Sequence, residues 1–173
     1  MLSGVLLSAM LFMGCTSPVT MEGIIPSNYN LVNHSPKTVV VSARGGEKTS
    51  SEKLSRADDQ RLQEGIIESL NKSGLFSMAI KSGSADYKLD AVVLVVRQSH
   101  TLGPFALSSQ VRMLWKLTRV QDGKQVFQDV IETKDTKTTG EYLIAPTRLQ
   151  KATEGAFRMN IQQAIERISK TEL

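Results

Sequence analysis

The sequence predicts an α+β domain in which a mixed or mostly antiparallel sheet of about five strands packs against two helices. Five short segments are β-branched or alternate in polarity, and two longer segments have helical periodicity. The chain has 173 residues, 40% of them hydrophobic and 22% charged, which is enough for one domain with its own core. The predicted order of elements is β-α-β-β-β-β-α.

The first strand and the first helix follow from composition and periodicity. The run Thr38–Ala43 is short and β-branched, as is typical of a buried strand. A helix is predicted over 55–73, with Gly74 as its carboxy-terminal cap. Its apolar face is formed by Leu62, Ile66 and Leu70. Gly65 costs this helix about 1 kcal/mol relative to alanine, which indicates close packing against the sheet.

Four further strands are predicted after this helix. Leu75–Ile80 is short, whereas Tyr87–Gln98 is apolar on both faces, as expected in the middle of a covered sheet. Ser109–Val120 and Gln125–Thr133 alternate in polarity, and Asp122-Gly123 between them predicts a hairpin turn. Within Tyr87–Gln98, the alternation puts Leu89, Ala91, Val93 and Val95 on one face.

A long helix is predicted over Pro146–Lys170. The polar segments Arg44–Ser51 and Lys134–Gly140 are predicted to be loops, and such loops could rim a binding face. Both helices should cover one face of the sheet, which leaves the other face for the amino-terminal segment or for a membrane.

The amino-terminal run Met1–Gly14 is apolar and carries no charged side chain. It is shorter than the roughly 20 residues that a membrane-spanning helix needs, but its length suits a secretory signal. The segment Leu11–Cys15 resembles the lipobox of bacterial lipoproteins. The resemblance implies cleavage between Gly14 and Cys15 and acylation of Cys15. The alternative is an apolar amino-terminal helix with a buried thiol.

These features divide the chain into a signal peptide over 1–14, a lipidated tether over 15–36 and a single α/β periplasmic domain over 37–173. Turn-forming residues are frequent in the tether, although apolar residues between Ile24 and Val32 suggest that part of it packs on the domain.

The residue after the lipobox cysteine bears on location. Thr16, rather than an aspartate, follows Cys15. By resemblance to enterobacterial sorting rules, this implies a lipid anchor in the outer membrane, in its inner leaflet facing the periplasm.

The layout of the domain resembles small bacterial envelope lipoproteins, including YajG-like proteins, the amino-terminal domain of TolB and the core of curli-secretion lipoproteins. The segments that carry the resemblance are Thr38–Ala43, Ser69–Phe76, Ala85–Leu89, Trp115–Leu117 and Asp122–Lys124. The resemblance implies an envelope protein and carries over no catalytic residue.

The residues give no indication of enzymatic chemistry, a metal or a cofactor. Sequence motifs of serine hydrolases, zinc proteases and P-loops are absent. Asp58 and Asp59 are adjacent and point apart on a helix, so we expect them to complement the helix dipole. His34 and His100 are isolated, and we expect both in loops or at the surface.

The charge and the aromatic content indicate which partners to expect. The net charge of +4 fits an ordinary solvated surface, or attraction to an anionic membrane. Aromatic residues make up 5% of the chain, and Trp115 lies among apolar neighbours, which favours core packing over stacking on bases. We therefore expect no nucleic acid partner.

The loop between the third and fourth predicted strands is unusually apolar. Leu102, Pro104 and Phe105 are candidate partner contacts, the alternative being that Leu102 and Phe105 fold back over the core.

We expect a non-catalytic interaction or assembly module with an envelope protein partner. An accessory subunit that binds a lipid or small ligand beside a transporter or secretion system is the alternative. A hydrolase with dispersed catalytic residues is the third.

Overall fold

The computed structural model describes residues 17–47, 56–100 and 105–173 of the chain. Within these ranges it has three helices and five strands. The helices are α1 (Met21–Ile24), α2 (Asp59–Ser73) and α3 (Ala145–Ile168), and the strands are β1 (Ser35–Arg44), β2 (Phe76–Ile80), β3 (Tyr87–His100), β4 (Ala106–Arg119) and β5 (Gln125–Thr138). The predicted α+β class is confirmed, and α1 precedes the predicted order of elements.

The five strands form one mixed sheet in the order β2-β1-β3-β4-β5. Strand β1 runs parallel to both β2 and β3, with α2 as the connection between β1 and β2. Strands β3, β4 and β5 form an antiparallel meander. The predicted hairpin is confirmed, and Gly123 in its turn has φ +69°, a conformation that glycine adopts without strain.

Helices α2 and α3 pack against one face of the sheet, as predicted. The side chains buried between the layers include Leu62, Ile66, Leu70, Val39, Leu89, Met113, Trp115, Phe157 and Ile161. Trp115 is therefore a core residue, as its neighbours predict. Its indole N–H donates to Asn160 Oδ1 of α3 at 2.8 Å, and Asn160 Nδ2 donates to the carbonyl of Ile131 at 2.8 Å. This buried network satisfies polar groups that burial would otherwise destabilise.

The central strand β3 differs from its predicted alternation because its pairing with β4 shifts at Leu94. This extra residue reverses the alternation beyond it. Val95 therefore lies on the outer face, whereas Val96 packs against the core. Gln98 then points towards the helices and donates to Thr153 Oγ1 at 2.9 Å. Strand β3 is central in the sheet, but the helices cover only one of its faces.

The segment predicted to be a tether is part of the fold from Val19 onwards. Val19 and Ile24 are fully buried, and α1 packs against both α2 and α3. A Cβ atom on Gly65 would lie 2.5 Å from Ile24 Cδ1, so Gly65 of α2 makes room for α1 and not for the sheet. The segment therefore lies on the helical side of the domain, whereas the opposite face of the sheet was expected to be left for this segment or for a membrane.

Two predicted loops are shorter than expected because polar residues continue the strands. Strand β3 reaches His100 and β4 begins at Ala106, within the predicted loop. Likewise, β5 extends to Thr138, so the predicted polar loop over Lys134–Gly140 is mostly strand. Cross-strand pairing such as Ser108 with Thr136 needs no apolar side chain, and the hydrophobic pattern therefore fails to reveal it.

Candidate functional site

Large apolar side chains are exposed together at one end of the domain. Phe105 is 65% exposed, Leu143 is 87% exposed and Ile144 is 66% exposed. The carbonyl of Phe105, just before β4, accepts a hydrogen bond from the N–H of Thr139 at 2.9 Å. Residues 139–144 then lead from β5 into α3, so all three side chains lie at the end of the domain where α3 begins. We call these three residues the apolar end.

The loop that carries Leu143 and Ile144 is held firmly by its neighbours. Buried Arg148 of α3 donates from Nη1 to the carbonyls of Tyr142 and Leu143, both at 2.8 Å. At the start of the loop, Glu141 Oε2 accepts from the N–H of Thr138 at 2.9 Å. This backbone hydrogen bond, with that from the Thr138 hydroxyl and the nearby Lys137, lowers the pKa of Glu141. The fold thus fixes a backbone that directs two large apolar side chains outwards.

The predicted contact residues fall partly on this surface. Phe105 is exposed, so it does not fold back over the core. Leu102 and Pro104 lie outside the described residues, as do Gly14 and Cys15. The sequence interpretation missed Leu143 and Ile144. The available signal was a pair of large apolar residues between a polar segment and Pro146, outside the helical periodicity.

The amino-terminal segment lies alongside α3 in matching order. Gln150 of α3 donates to the carbonyl of Pro18 at 2.8 Å, and Arg158 donates to the carbonyl of Gly23 at 3.1 Å. Further along, the N–H of Val32 donates to Ser169 Oγ at 3.1 Å. The amino-terminal segment and α3 therefore run in the same direction, from the apolar end towards the carboxy-terminal end of α3.

A buried carboxylate fixes this segment to α3. Oε1 of Glu154 accepts from the N–H of Thr20 at 3.0 Å and from the Thr20 hydroxyl at 2.9 Å. Gln150 donates to the same oxygen at 3.1 Å, and Lys151 donates to Oε2 at 2.7 Å. Glu154 is thus a structural anion whose donors come from both the segment and the helix.

The outer face of the sheet is a second candidate surface. The cross-strand row Val92, Leu114 and Val130 runs over β3, β4 and β5, and Val130 is exposed. Charged side chains surround this row on the same face: Arg44, Lys88, Arg97, Arg112, Lys116, Lys134, Asp90 and Glu132. The face combines an apolar centre with an excess of positive charge, as surfaces that bind protein partners often do.

A groove of about 430 Å³ lies at the end of the domain opposite the apolar end, between the start of β3 and the end of β4. Its lining includes Lys37, Asp86, Tyr87 and Arg119. Asp86 Oδ2 accepts from the N–H of Thr38 at 2.8 Å, and this backbone hydrogen bond is the largest cause of the lowered pKa of Asp86. Asp86 is therefore engaged in joining β1 to the start of β3.

Other polar residues considered from the sequence have structural roles. Asp58 caps α2 by accepting from the N–H of Arg61 at 2.9 Å, and Asp59 accepts from the N–H of Gly46 at 2.6 Å. His34 Nδ1 donates to the carbonyl of Gly74, the residue that ends α2, at 2.9 Å.

The described parts of the chain hold neither a cluster of metal ligands nor a membrane-spanning helix. Over 17–47, 56–100 and 105–173, no group of three or more histidine, cysteine, aspartate or glutamate side chains is placed to hold a metal ion. In the same ranges, every helix is too short or too polar to cross a lipid bilayer.

The sequence matches no family model and no curated protein, but the fold occurs in solved structures. A Xanthomonas campestris protein of the DUF330 family is 15% identical, with a TM-score of 0.59 over 84% of this chain and 91% of that chain. A candidate lipoprotein from Caulobacter crescentus is 14% identical, with a TM-score of 0.51 over 76% of this chain and 88% of that chain. The chain therefore shares its fold with a candidate bacterial lipoprotein.

Proposed function

We propose that this chain is a periplasmic lipoprotein of the bacterial envelope, anchored through acyl chains on Cys15 and acting as a non-catalytic interaction or assembly module. The observation that carries the proposal is how few residues separate the lipobox-like segment Leu11–Cys15 from the first buried residue that the structure describes. Val19 is fully buried only four residues after Cys15. A mature chain that begins at Cys15 would therefore keep the whole of the amino-terminal segment that the structure describes.

The shared fold and the sequence around Cys15 support the same location in the cell envelope. A candidate lipoprotein has this fold, and Thr16 after Cys15 favours the inner leaflet of the outer membrane under enterobacterial sorting. One acyl chain holds a protein only marginally, whereas two or three hold it stably. Acylation of Cys15 on both sulfur and nitrogen would therefore supply a stable anchor.

A non-catalytic role is supported by how the polar side chains are used. Glu154 holds the amino-terminal segment, Asp58 caps a helix and Asn160 satisfies Trp115. The outer face of the sheet, with half-buried Val92 and Leu114 and exposed Val130 in one row, is the surface we propose for an envelope protein partner.

An accessory subunit that binds a lipid or small ligand is the second candidate. The groove of about 430 Å³ has a volume typical of ligand sites, which favours this candidate. Its lining by charged residues such as Lys37, Asp86 and Arg119 is less suited to a lipid chain. We therefore place the interaction module first.

Mass spectrometry of the protein from native membranes tests the anchor. We expect a mature chain that begins at Cys15, with a diacylglyceryl thioether and an acylated amino group. The matched variant Cys15→Ser should retain the uncleaved amino terminus and lack these masses. A wild-type chain that still carries Met1 to Gly14 and a free thiol would contradict the proposal.

Crosslinking in intact cells tests the partner surface. A photoreactive amino acid in place of Val130 should give one discrete adduct with an envelope protein. The same residue in place of Val32, which is also exposed but lies on the helical side, is the control. Equal labelling from both positions would argue against the outer face as the partner surface.

A further inference from the structure

We propose that the apolar end, formed by Phe105, Leu143 and Ile144, rests in the headgroup region of a phospholipid bilayer, with α3 directed away from the membrane. The inference rests on the proposed anchor at Cys15 and adds to it an orientation of the domain. It follows from three observations: the direction of the amino-terminal segment in the structure, the small number of residues between that segment and Cys15 in the sequence, and the chemistry of the apolar end.

The amino-terminal segment determines where the anchor emerges. Its contacts advance along α3 from Gln150 at Pro18, through Arg158 at Gly23, to Ser169 at Val32. Followed backwards, the chain therefore approaches the first residues of α3, where Leu143 and Ile144 are exposed. The contacts of the segment with α3 therefore begin near the apolar end, at Pro18.

The connection to the anchor is too short to let the domain turn freely. Gln150 lies six residues after Ile144, about 9 Å along the helix axis at 1.5 Å per residue. Three residue steps separate Cys15 from Pro18 and span at most about 11 Å when fully extended. Because Glu154 fixes Thr20 to α3, the segment cannot peel away to lengthen this connection without breaking buried hydrogen bonds. Acyl chains on Cys15 would therefore enter the bilayer close to the apolar end.

The exposed side chains suit a lipid interface. Leucine, isoleucine and phenylalanine gain free energy when they leave water, and half-buried Tyr142 beside them can place its ring and its hydroxyl at the boundary. Arg148 holds the backbone of Tyr142 and Leu143, so the loop does not need to reorganise to present these side chains. A bilayer is the occupant we favour because the short connection keeps it beside this end at all times.

Quenching by brominated lipids tests the orientation. The full lipidated chain is reconstituted in vesicles of phosphatidylethanolamine and phosphatidylglycerol, with or without bromine on the acyl chains. The single native tryptophan, Trp115, is buried and provides a constant background. The variant Leu143→Trp should lose about half or more of its added emission in brominated vesicles, as expected for a ring at the interface. The matched control Val32→Trp, exposed near the opposite end of α3, should lose almost none.

Vesicle flotation, measured on the same samples, distinguishes the possible failures. If the chain floats with the vesicles but Leu143→Trp is not quenched, or Val32→Trp is quenched equally, the orientation is wrong while the anchor stands. Such a result would leave the apolar end available to a protein partner. If the chain does not float, the proposed function fails, and the orientation that rests on it fails too. An unchanged far-UV circular dichroism spectrum verifies that each variant is folded.

Discussion

Single residues decide how the amino-terminal segment and the apolar end are held. Glu154 accepts hydrogen bonds from Thr20, Gln150 and Lys151. Arg148 donates hydrogen bonds to two carbonyls of the loop before α3. Neither role is visible in the sequence, where both residues occur among the charged positions of an amphipathic helix. A charged side chain in a helix pattern is normally solvated, but Glu154 is buried where the amino-terminal segment packs on α3, and buried Arg148 bonds the loop before α3.

The substitution Glu154→Gln should destabilise the fold by about 2–3 kcal/mol, because a buried charged acceptor is lost and an amide N–H then faces the Lys151 ammonium. Urea unfolding measures the change, and hydrogen exchange at the Thr20 amide should accelerate. Adding Lys151→Met should restore part of the loss, since the two donors no longer face each other. If the single variant matched the wild type in stability, Glu154 would not hold the segment.

The carboxylate of Glu141 should make the wild-type protein lose stability in acid. Hydrogen bonding from Thr138 lowers its pKa below the ordinary value of 4.5 in the folded state. The stabilisation is therefore fully present above that ordinary value and is lost as the pH falls through the folded-state pKa. Urea unfolding should give the wild type a higher free energy of unfolding than Glu141→Gln at pH 7, and this difference should disappear well below pH 4.5. A difference that stays constant over this range would contradict the prediction.

At the scale of elements, the main departure from the sequence prediction is α1. Pro18, Gly23 and Pro26 indicate a tether because turn formers dominate the local pattern. Yet the segment packs between α2 and α3. Met21 and Ile24 on the single turn of α1 lie against Gly65, whose lack of a side chain leaves room for them. The bulge at Leu94 was missed for a similar reason, since an extra residue in an apolar strand leaves no trace in its composition.

The docking of α1 gives a direct stability prediction. Ile24→Ala should lower the free energy of unfolding by about 2–4 kcal/mol, because it leaves a cavity at a fully buried site. Val32→Ala, on the same segment but 62% exposed, should change it by less than about 0.5 kcal/mol. Thermal or urea unfolding of both variants makes the comparison. If Ile24→Ala changed the free energy of unfolding as little as Val32→Ala, α1 would contribute little to the stability of the fold.

At the scale of the whole molecule, the proposed orientation would put the anchor and the apolar end on the same side of the domain. The groove between Lys37 and Arg119 then lies at the far end, some 36 Å away if the 24 residues of α3 rise 1.5 Å each. In that orientation the outer face of the sheet would not be covered by the bilayer and would remain accessible to another envelope protein. Its excess of positive charge would favour an acidic partner.

Lengthening the connection should release this orientation. Inserting about 20 glycine and serine residues between Thr16 and Ser17 adds a flexible chain with a mean span of about 25 Å. The protein should still float with vesicles, but the quenching of Leu143→Trp should weaken several-fold. A rigid helical insert of equal length is a useful comparison, because it should also separate the domain from the bilayer. Unchanged quenching would show that the short connection does not set the orientation.

The sequence by itself determined the α+β class, the β4–β5 hairpin, the carboxy-terminal end of α2 and the core position of Trp115. Turn chemistry, capping and hydrophobic periodicity are local properties, so neighbouring residues suffice to reveal them. Only the tertiary structure decided that the amino-terminal segment packs on α3, that Glu154 and Arg148 are buried, and that Leu143 and Ile144 are exposed beside Phe105. These features depend on tertiary packing. A local sequence pattern does not reveal the free energy of such contacts.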